Sequence, residues 1–431
     1  MEAIGLAGAQ SVSGASALIP LHVTASDGVG GAARAAARLH RALRAIDIDS
    51  RMLVLTKSTD DPNVNPLPGI LGRATRALNW RLDHLPLRRY PLRNLPGSWS
   101  VNWAPYPVGG VIRRQKADVV HLHWVGAGFL PIRQIGRLNL PVVWTLHDSW
   151  AMTGGCHVPF DCMRFETGCG NCPQLASGRD DDLSRRSVRA KADAYQRVKP
   201  VIVTPSTWLA ERARRSALLQ GMRIEHIPNG IDTQVFKPID RTAARAALNL
   251  PAHGRLILTG ALDAADINKG YHLLKPALEL LAAEADVSCA LVTVGGGRGM
   301  QLPNMPVYAL GHLRDDVSLA LACSAADVFV IPSIQENLPN VVMEAMACGT
   351  PCVGFRIGGI PDMIAHQQNG YLAQPYEPAD LAAGIRWVLA DDERHAQLSA
   401  EARQHVVARY EHTAIARRYC DVYSSMLGAA T

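Results

Sequence analysis

Two series of continuous apolar runs, each alternating with helical stretches, divide the chain. LHVTAS (21–26), SRMLVLT, DVVHLHW, PVVWTLHD and PVIVTPS come first, and LHVTAS is followed by a Gly turn and the amphipathic stretch AARAAARLHRALRA. After NGIDTQVFKP the pattern restarts with RLILTG, CALVTVGGG, PVYALG, DVFVIPS, PCVGF and GYLAQ. Runs that are apolar at consecutive positions predict strands buried on both faces, hence parallel sheets joined by helical crossovers. Two series predict an α/β protein of two doubly wound Rossmann-like domains, with the ligand at the carboxyl ends of the strands in the cleft between them. Pro, Asn, Gly and Asp cluster over 228–238 and place the boundary there. The expected organisation is a loose tail over 1–17, an N-terminal domain over 18–230, a C-terminal domain over 231–409, and a closing helix over 410–431 that packs back on the first domain.

Composition leaves this picture intact. The chain has 431 residues, 48% apolar and 19% charged, enough for two large cores without disulfides. A net charge of +6 suits an anionic ligand, an anionic membrane surface or nucleic acid and does not choose among them. No nucleic-acid recognition module is visible. No apolar run reaches the ~18 residues of a membrane span, and MEAIGLAGAQ lacks the positive start of a secretory signal. The expectation is a cytoplasmic protein. One segment, 73–116, departs from the α/β rhythm. Arg73, Arg76, Arg81, Arg88, Arg89 and Arg93 interleave there with Leu78, Trp80, Leu82, Leu85, Leu87 and Tyr90, and Asp83 is the one acid among them. This is either a solvated domain face or a surface for an anionic membrane on the inner face of the plasma membrane.

IQENLPNVVMEAMACGTPCVGF (334–355) reads as strand end, acidic loop, helix, stop and strand. Pro339 suits a helix start and Gly349 a helix stop. Glu336 therefore lies at the mouth of the helix and Glu344 inside it, where two carboxylates at different depths could take two sets of hydroxyls from one elongated ligand. The plainer reading is a solvated Glu336 and a Glu344 paired with a nearby arginine.

E-x7-E, with ENLPN before the helix and GTPCVGFRIGGIPDMI after it, resembles the signature of retaining glycosyltransferases of the GT-B fold, family 4 type. TPSTWLAERARRS, IPNGIDTQVFKP, NKGYHLL and LVTVGGG extend the likeness from about residue 18 onward. WTLHDSWAMTGGCHVPFDCMRF with GCGNCPQL is similar to the colanic-acid-type exopolysaccharide enzymes. The resemblance implies that Glu336 faces the donor sugar beside the backbone of Asn337, Leu338 and Pro339, that Glu344 binds the ribose hydroxyls, and that Lys269 binds the diphosphate. Gly30 and Gly31 fall where the family has a flexible turn near the diphosphate, and His147, ending PVVWTLH, matches a histidine that touches the donor sugar. The family also has an arginine shortly before the lysine; here Ala261 stands in its place, and backbone N–H groups or Arg298 would have to serve. No Asp-x-Asp motif is present, and the implied reaction needs no divalent metal at the donor. His121 and His123 of HLHW share a strand face and read as structural residues or acceptor-edge residues.

The chain has nine cysteines, and Cys156, Cys162, Cys169 and Cys172 fall within one short segment as C-x5-C-x6-C-x2-C. In a reducing compartment that pattern admits a structural zinc site, free or redox-sensitive thiols, or an iron–sulfur cluster.

The expected activity is retaining transfer of a sugar from a UDP- or GDP-type nucleoside-diphosphate sugar to a saccharide or lipid-linked saccharide acceptor, in exopolysaccharide or cell-surface polysaccharide assembly. The rivals are a nucleotide-sugar epimerase of similar build and a non-catalytic nucleotide-sugar or metal-sensing scaffold.

Overall fold

The computed structural model describes residues 18–68, 74–90, 98–283, 289–296 and 300–428. The expected tail over 1–17, Arg73, Arg93 and Arg298 lie outside the described residues. The first sheet contains β1 (Pro20–Ser26), β2 (Arg51–Thr56), β3 (Val64–Pro66), β4 (Val119–Leu122), β5 (Val142–Thr145), β6 (Val201–Thr204) and β7 (Ile224–His226), in the order β3-β2-β1-β4-β5-β6-β7. The second contains β8 (Arg255–Ala261), β9 (Cys289–Gly295), β10 (Val307–Gly311), β11 (Val328–Ile331), β12 (Cys352–Phe355) and β13 (Gly370–Ala373), in the order β10-β9-β8-β11-β12-β13. Every pairing is parallel. This is the α/β GT-B arrangement of two doubly wound domains. Every residue of β4, β5, β6, β11 and β12 is buried, because helices cover both sheet faces. The edge strands β3 and β7 are three residues each and partly exposed, so no apolar run marks them in the sequence.

In each sheet the order reverses beside the first strand, between β1 and β4 and between β8 and β11. Such switch points open crevices at the strands' carboxyl ends. From β1 the chain turns through Gly30, at φ 90° and ψ 162°, into the helix Gly31–Ala45. That backbone conformation is closed to residues with a Cβ. The helix lays Ala33, Ala35, Ala36, Leu39, Ala42 and Leu43 inward.

The chain passes between the domains twice at one place. The N–H of Ile231 donates to the Tyr410 carbonyl at 2.8 Å, and the N–H of His412 donates to the Ile231 carbonyl at 3.1 Å. Beyond this stitch the helix His412–Gly428 leaves the second domain. It buries Ile415, Tyr419, Val422 and Tyr423 against Val119, Val143 and Val201 of the first sheet. Burying side chains of this size contributes roughly 1.5–3 kcal/mol each. Among the described residues, no helix is long and apolar enough to cross a membrane.

Candidate active site

The acidic loop after β11 is zipped to the turn after β8. Asn268 donates to the Gln335 carbonyl at 2.9 Å and accepts from the Gln335 N–H at 3.0 Å, and the Ile334 N–H donates to the Asn268 carbonyl at 2.9 Å. Gly270, at φ +68°, lies against the same loop, where a Cβ would come within 1.8 Å of the Pro332 carbonyl oxygen. This packing brings Lys269 to Glu336: its Nζ lies 2.6 Å from Glu336 Oε1, which also accepts from Ser333 Oγ at 3.0 Å. The facing carboxylate, opposed by burial, raises the lysine pKa and holds its charge. On the other side, Gly358 and Gly359 back the loop; a Cβ there would stand 1.9 Å from the Glu336 carbonyl oxygen and 1.8 Å from that of Asn337. The GG of FRIGGIPD is thus a steric requirement of the acidic loop.

Asn337 reaches across to the first domain. Its Nδ2 donates to the carbonyls of Leu146 (3.0 Å) and His147 (3.3 Å), and its Oδ1 accepts from Ser206 Oγ at 2.6 Å. One turn on, Asn340 Nδ2 donates to the Gly31 carbonyl at 2.9 Å, and Asn340 Oδ1 accepts from Asn229 at 3.1 Å. The N-terminus of the helix Asn340–Ala347 therefore faces that of Gly31–Ala45, with Gly30 and Gly31 at the junction. Two helix N-termini with free N–H groups suit a shared anion. Pro339 immediately precedes the second helix, and Leu338 is buried in the second-domain core. The structure thus gathers His147, Lys269, Glu336 and Asn337 at the facing sheet ends, with Gly30, Gly31 and Pro339 beside them.

Glu344 stands apart from this group. Its residue is 2% exposed, and its Oε1 meets Arg38 of the facing domain at 2.7 Å; Arg38 also reaches Asp316 at 3.0 Å and lies over the Phe236 ring. Burial alone would lower the arginine's pKa, but the two carboxylates outweigh it and keep the guanidinium charged. The carboxylate expected to face ribose hydroxyls faces a guanidinium here, so in this arrangement it is closed to a ligand. Sequence reading did not single out Arg38, Asp316, Ser206 or Asn340. The polar residues inside an alanine-rich helix stripe, and the TPS before TWLAER, were the available signals.

His147 ends a line of imidazoles. Its Nε2 lies 3.0 Å from His123 Nδ1, and His123 Nε2 lies 2.9 Å from His22 Nδ1. The parallel register that sets His22 of β1 beside His121 of β4 brings these rings together. His121 is taken by Tyr423 OH (2.7 Å) and Thr145 Oγ1 (2.8 Å), which ties it to the returning C-terminal helix. Burial pushes the His147 pKa down to about 4, partly opposed by Asp148. Burial and the neighbouring rings hold those of His22 and His123 well below the usual imidazole value, so the line is neutral at ordinary pH. His22, His121 and His123 bring three ring nitrogens within 4.8 Å of one another. A metal needs to lie in the plane of each ring; these rings are stacked or tilted at 4.2–5.2 Å between centroids, and both nitrogens of His121 and His123 are engaged in hydrogen bonds, while His22 Nε2 has no partner. The cluster is therefore a hydrogen-bonded support for His147. Next to it, Asp148 accepts from His157 at 2.6 Å; burial opposes that carboxylate's charge, and the His157 ring more than restores it.

Ala261 ends β8 beside Gly295, so among the described residues no arginine stands at that strand end. The four clustered cysteines line one small cavity behind the His157 segment. The basic segment holds the helix Ala74–His84, and Asp83 is buried there, accepting the N–H groups of Val101 and Trp103 at 3.2 Å each. Leu78, Trp80, Leu85 and Trp103 remain exposed around it, with Arg81, Arg88 and Arg89 also at the surface, while Leu87 is buried.

Comparison with known proteins accords with the fold. Residues 29–235 match the family described as Glycosyltransferase Family 4, and residues 253–391 match Glycosyl transferases group 1. The chain is 30% identical over 378 residues to a D-inositol 3-phosphate glycosyltransferase of Xylanimonas cellulosilytica, covering 81% of this chain and 80% of the relative. It is 28% identical to D-inositol 3-phosphate glycosyltransferase 2 of Catenulispora acidiphila, covering 94% and 92%. None of these names is that of a colanic-acid enzyme. The fold superposes on sucrose-phosphate synthase of Thermosynechococcus elongatus with a TM-score of 0.66 at 20% identity, over 96% of this chain and all of the other. It superposes on Anabaena Alr3699/HepE in complex with UDP-glucose, also with a TM-score of 0.66, at 19% identity over 95% and 100%.

Proposed function

The chain belongs to glycosyltransferase family 4, and from that premise we propose that it moves a sugar from a UDP- or GDP-type nucleoside-diphosphate donor to a hydroxyl of a phosphorylated polyol, with retention. The observation that carries this reading is the Lys269–Glu336 pair set beside Asn337, whose side chain reaches the His147 carbonyl of the facing domain.

In this reading the anomeric carbon–oxygen bond breaks, the diphosphate leaves with the bonding pair, and the acceptor oxygen bonds to the same face of the sugar. The acceptor proton passes to the leaving phosphate. Lys269, freed from Glu336 by the arriving diphosphate, offsets the charge that develops on the leaving group, and the two facing helix N-termini add to it. Glu336 takes sugar hydroxyls, and neutral His147 hydrogen-bonds to the sugar. Their shared rigid backing fixes the donor for attack. Glu344 takes the ribose once Arg38 releases it. The acceptor class rests on the relatives named for D-inositol 3-phosphate.

A lipid-linked saccharide acceptor at a membrane surface is the second reading. It is favoured by the exposed Leu78, Trp80, Leu85 and Trp103 alongside surface arginines. Release of nucleotide from UDP- and GDP-sugars, measured with inositol phosphate and separately with an undecaprenyl-linked saccharide in detergent, decides between them. Turnover with neither acceptor, despite tight nucleotide binding, would move the chain to the non-catalytic scaffold reading.

A further inference from the structure

Between the carboxyl end of β5 and the helix Leu183–Val198, residues 153–182 form no strand and no α-helix, only the short 3-10 turns Arg164–Thr167 and Pro173–Leu175. Irregular segments longer than about 12–15 residues are uncommon inside compact domains. This one is also costly in its backbone. Gly168, Cys169, Gly170 and Asn171 run consecutively at φ 83°, 61°, 93° and 45°. A left-handed conformation at Cys169 costs about 1–2 kcal/mol, so something must hold the segment in this shape.

What the segment encloses is a cavity of about 20 Å³ lined by all four of Cys156, Cys162, Cys169 and Cys172. That is room for one ion or one water. A backbone N–H group serves one of the sulfurs: Gly154 donates to Cys169 Sγ at 3.2 Å. The surroundings are cationic. Lys191 is 0% exposed, and its Nζ donates to the carbonyls of Trp150 (2.5 Å) and Thr153 (2.9 Å), with no carboxylate partner among the described residues. Arg212 lies over the Phe165 ring at 4.8 Å, and its buried Nε and Nη2 have no hydrogen-bond partner. A centre carrying negative charge would interact favourably with both groups.

We propose that Cys156, Cys162, Cys169 and Cys172 together hold one zinc ion as a four-thiolate structural site. Four Zn–S bonds form, the four thiol protons pass to solvent, and the centre carries a net charge of −2 beside Lys191 and Arg212. Sulfur-only tetrahedral coordination suits zinc, and a cavity of this size has no room for a cluster of iron and sulfide. Among the described residues, no three of these sulfurs lie within 4.8 Å of one another. A Zn–S length of about 2.3 Å sets sulfurs about 3.8 Å apart, so binding draws the segment inward. The site supports the active site by position: His157, next to Cys156, holds Asp148 at 2.6 Å, and Asp148 adjoins His147.

The test is metal analysis of the full chain purified under reducing conditions without a metal-affinity step. One zinc per chain is expected. Cobalt exchanged into the site should give thiolate-to-metal charge-transfer bands and the intense visible bands of a tetrahedral centre. Cys162→Ser, at one of the two half-buried cysteines, should weaken zinc at least tenfold in competition with a chromophoric chelator while the far-ultraviolet circular dichroism is kept. Protein that holds no metal, protein that holds iron with acid-labile sulfide, or quantitative disulfides among the four would each overturn the proposal. The wild-type measurement stands whether or not the variant folds.

Discussion

Arg38 and Glu344 meet at 2.7 Å across the interdomain cleft, one from each domain, with side chains 4% and 3% exposed. A nucleotide that needs Glu344 must therefore displace a buried guanidinium. The two partners should respond to substitution in opposite ways. Glu344→Gln should weaken UDP or GDP binding more than tenfold in calorimetric titration. Arg38→Met should leave binding intact or tighten it, although both variants lose stability, because breaking a buried pair costs about 3–5 kcal/mol. Equal weakening by both would mean that the pair only holds the closed form together.

Lys269 and Glu336 make the second ion pair of the site, at 2.6 Å, and Glu336 is directed at the sugar in the proposed reaction. Removing one preorganised charge from a leaving group costs about 10²–10³ in turnover. Lys269→Ala should lower kcat by that order. Glu336→Ala should lower kcat more than it changes nucleotide affinity. Steady-state kinetics beside calorimetry separates the two effects, and a change confined to affinity would remove both residues from the chemistry.

The histidine line makes a statement about acid stability. Burial lowers the pKa of His40 and His147 to about 4 and those of His22, His121 and His123 well below the usual value. The unfolded rings take protons near 6.5, so between about pH 4 and 6.5 the unfolded chain binds more protons than the folded one. The stabilisation is complete above 6.5 and is lost as pH falls. Each ring contributes up to about 1.4 kcal/mol per pH unit in that window. Urea midpoints should drop steeply from pH 7 to pH 5, and a flat profile would contradict the burial.

His123 links His22 to His147, and His147 Nε2 points back into this line. The other ring nitrogen, Nδ1, is thus the one left to serve a ligand. His123→Phe should lower kcat about tenfold or more while nucleotide affinity stays near wild type. Because His147 is neutral throughout, kcat should not vary between pH 6 and 8 through this ring. A new inflection near pH 6.5 in the variant would show that the line had held the neutral form.

If the lipid-linked reading holds, Trp80→Ser with Trp103→Ser should abolish cosedimentation with phosphatidylglycerol vesicles and leave turnover of soluble acceptors unchanged. Both indoles are about half exposed, and Trp103 is anchored to the same helix through the Leu82 carbonyl at 3.0 Å. Wild-type protein that ignores such vesicles would leave the patch as plain surface.

Much of this fold was legible in the chain because short β-branched apolar runs such as VFVI, bounded by turn residues, fit strands covered on both faces. β3 and β7 escaped because a three-residue edge strand lacks the length to make a pattern. Lys269, Glu336 and Asn337 were readable from local motifs. Arg38 was not: its partners are 278 and 306 positions away, and nothing local distinguishes it from Arg34 or Arg41 on the same helix. Asn337 was expected to act through its backbone, and its side chain proves to bridge the domains, a role visible only once both sheets are in place.

The double crossing at Ile231 and His412 bears on the order of synthesis. The first domain borrows Tyr419, Val422 and Tyr423 from the final helix to cover Val119, Val143 and Val201. Domains ordinarily complete in the order they leave the ribosome. Here the half that emerges first must wait with one face of its sheet covered only in part, by Leu39, Ala42 and Leu43 of its own helix, while the stretch from Ile231 to Tyr410 can close its own core. The domain translated first is the one finished last.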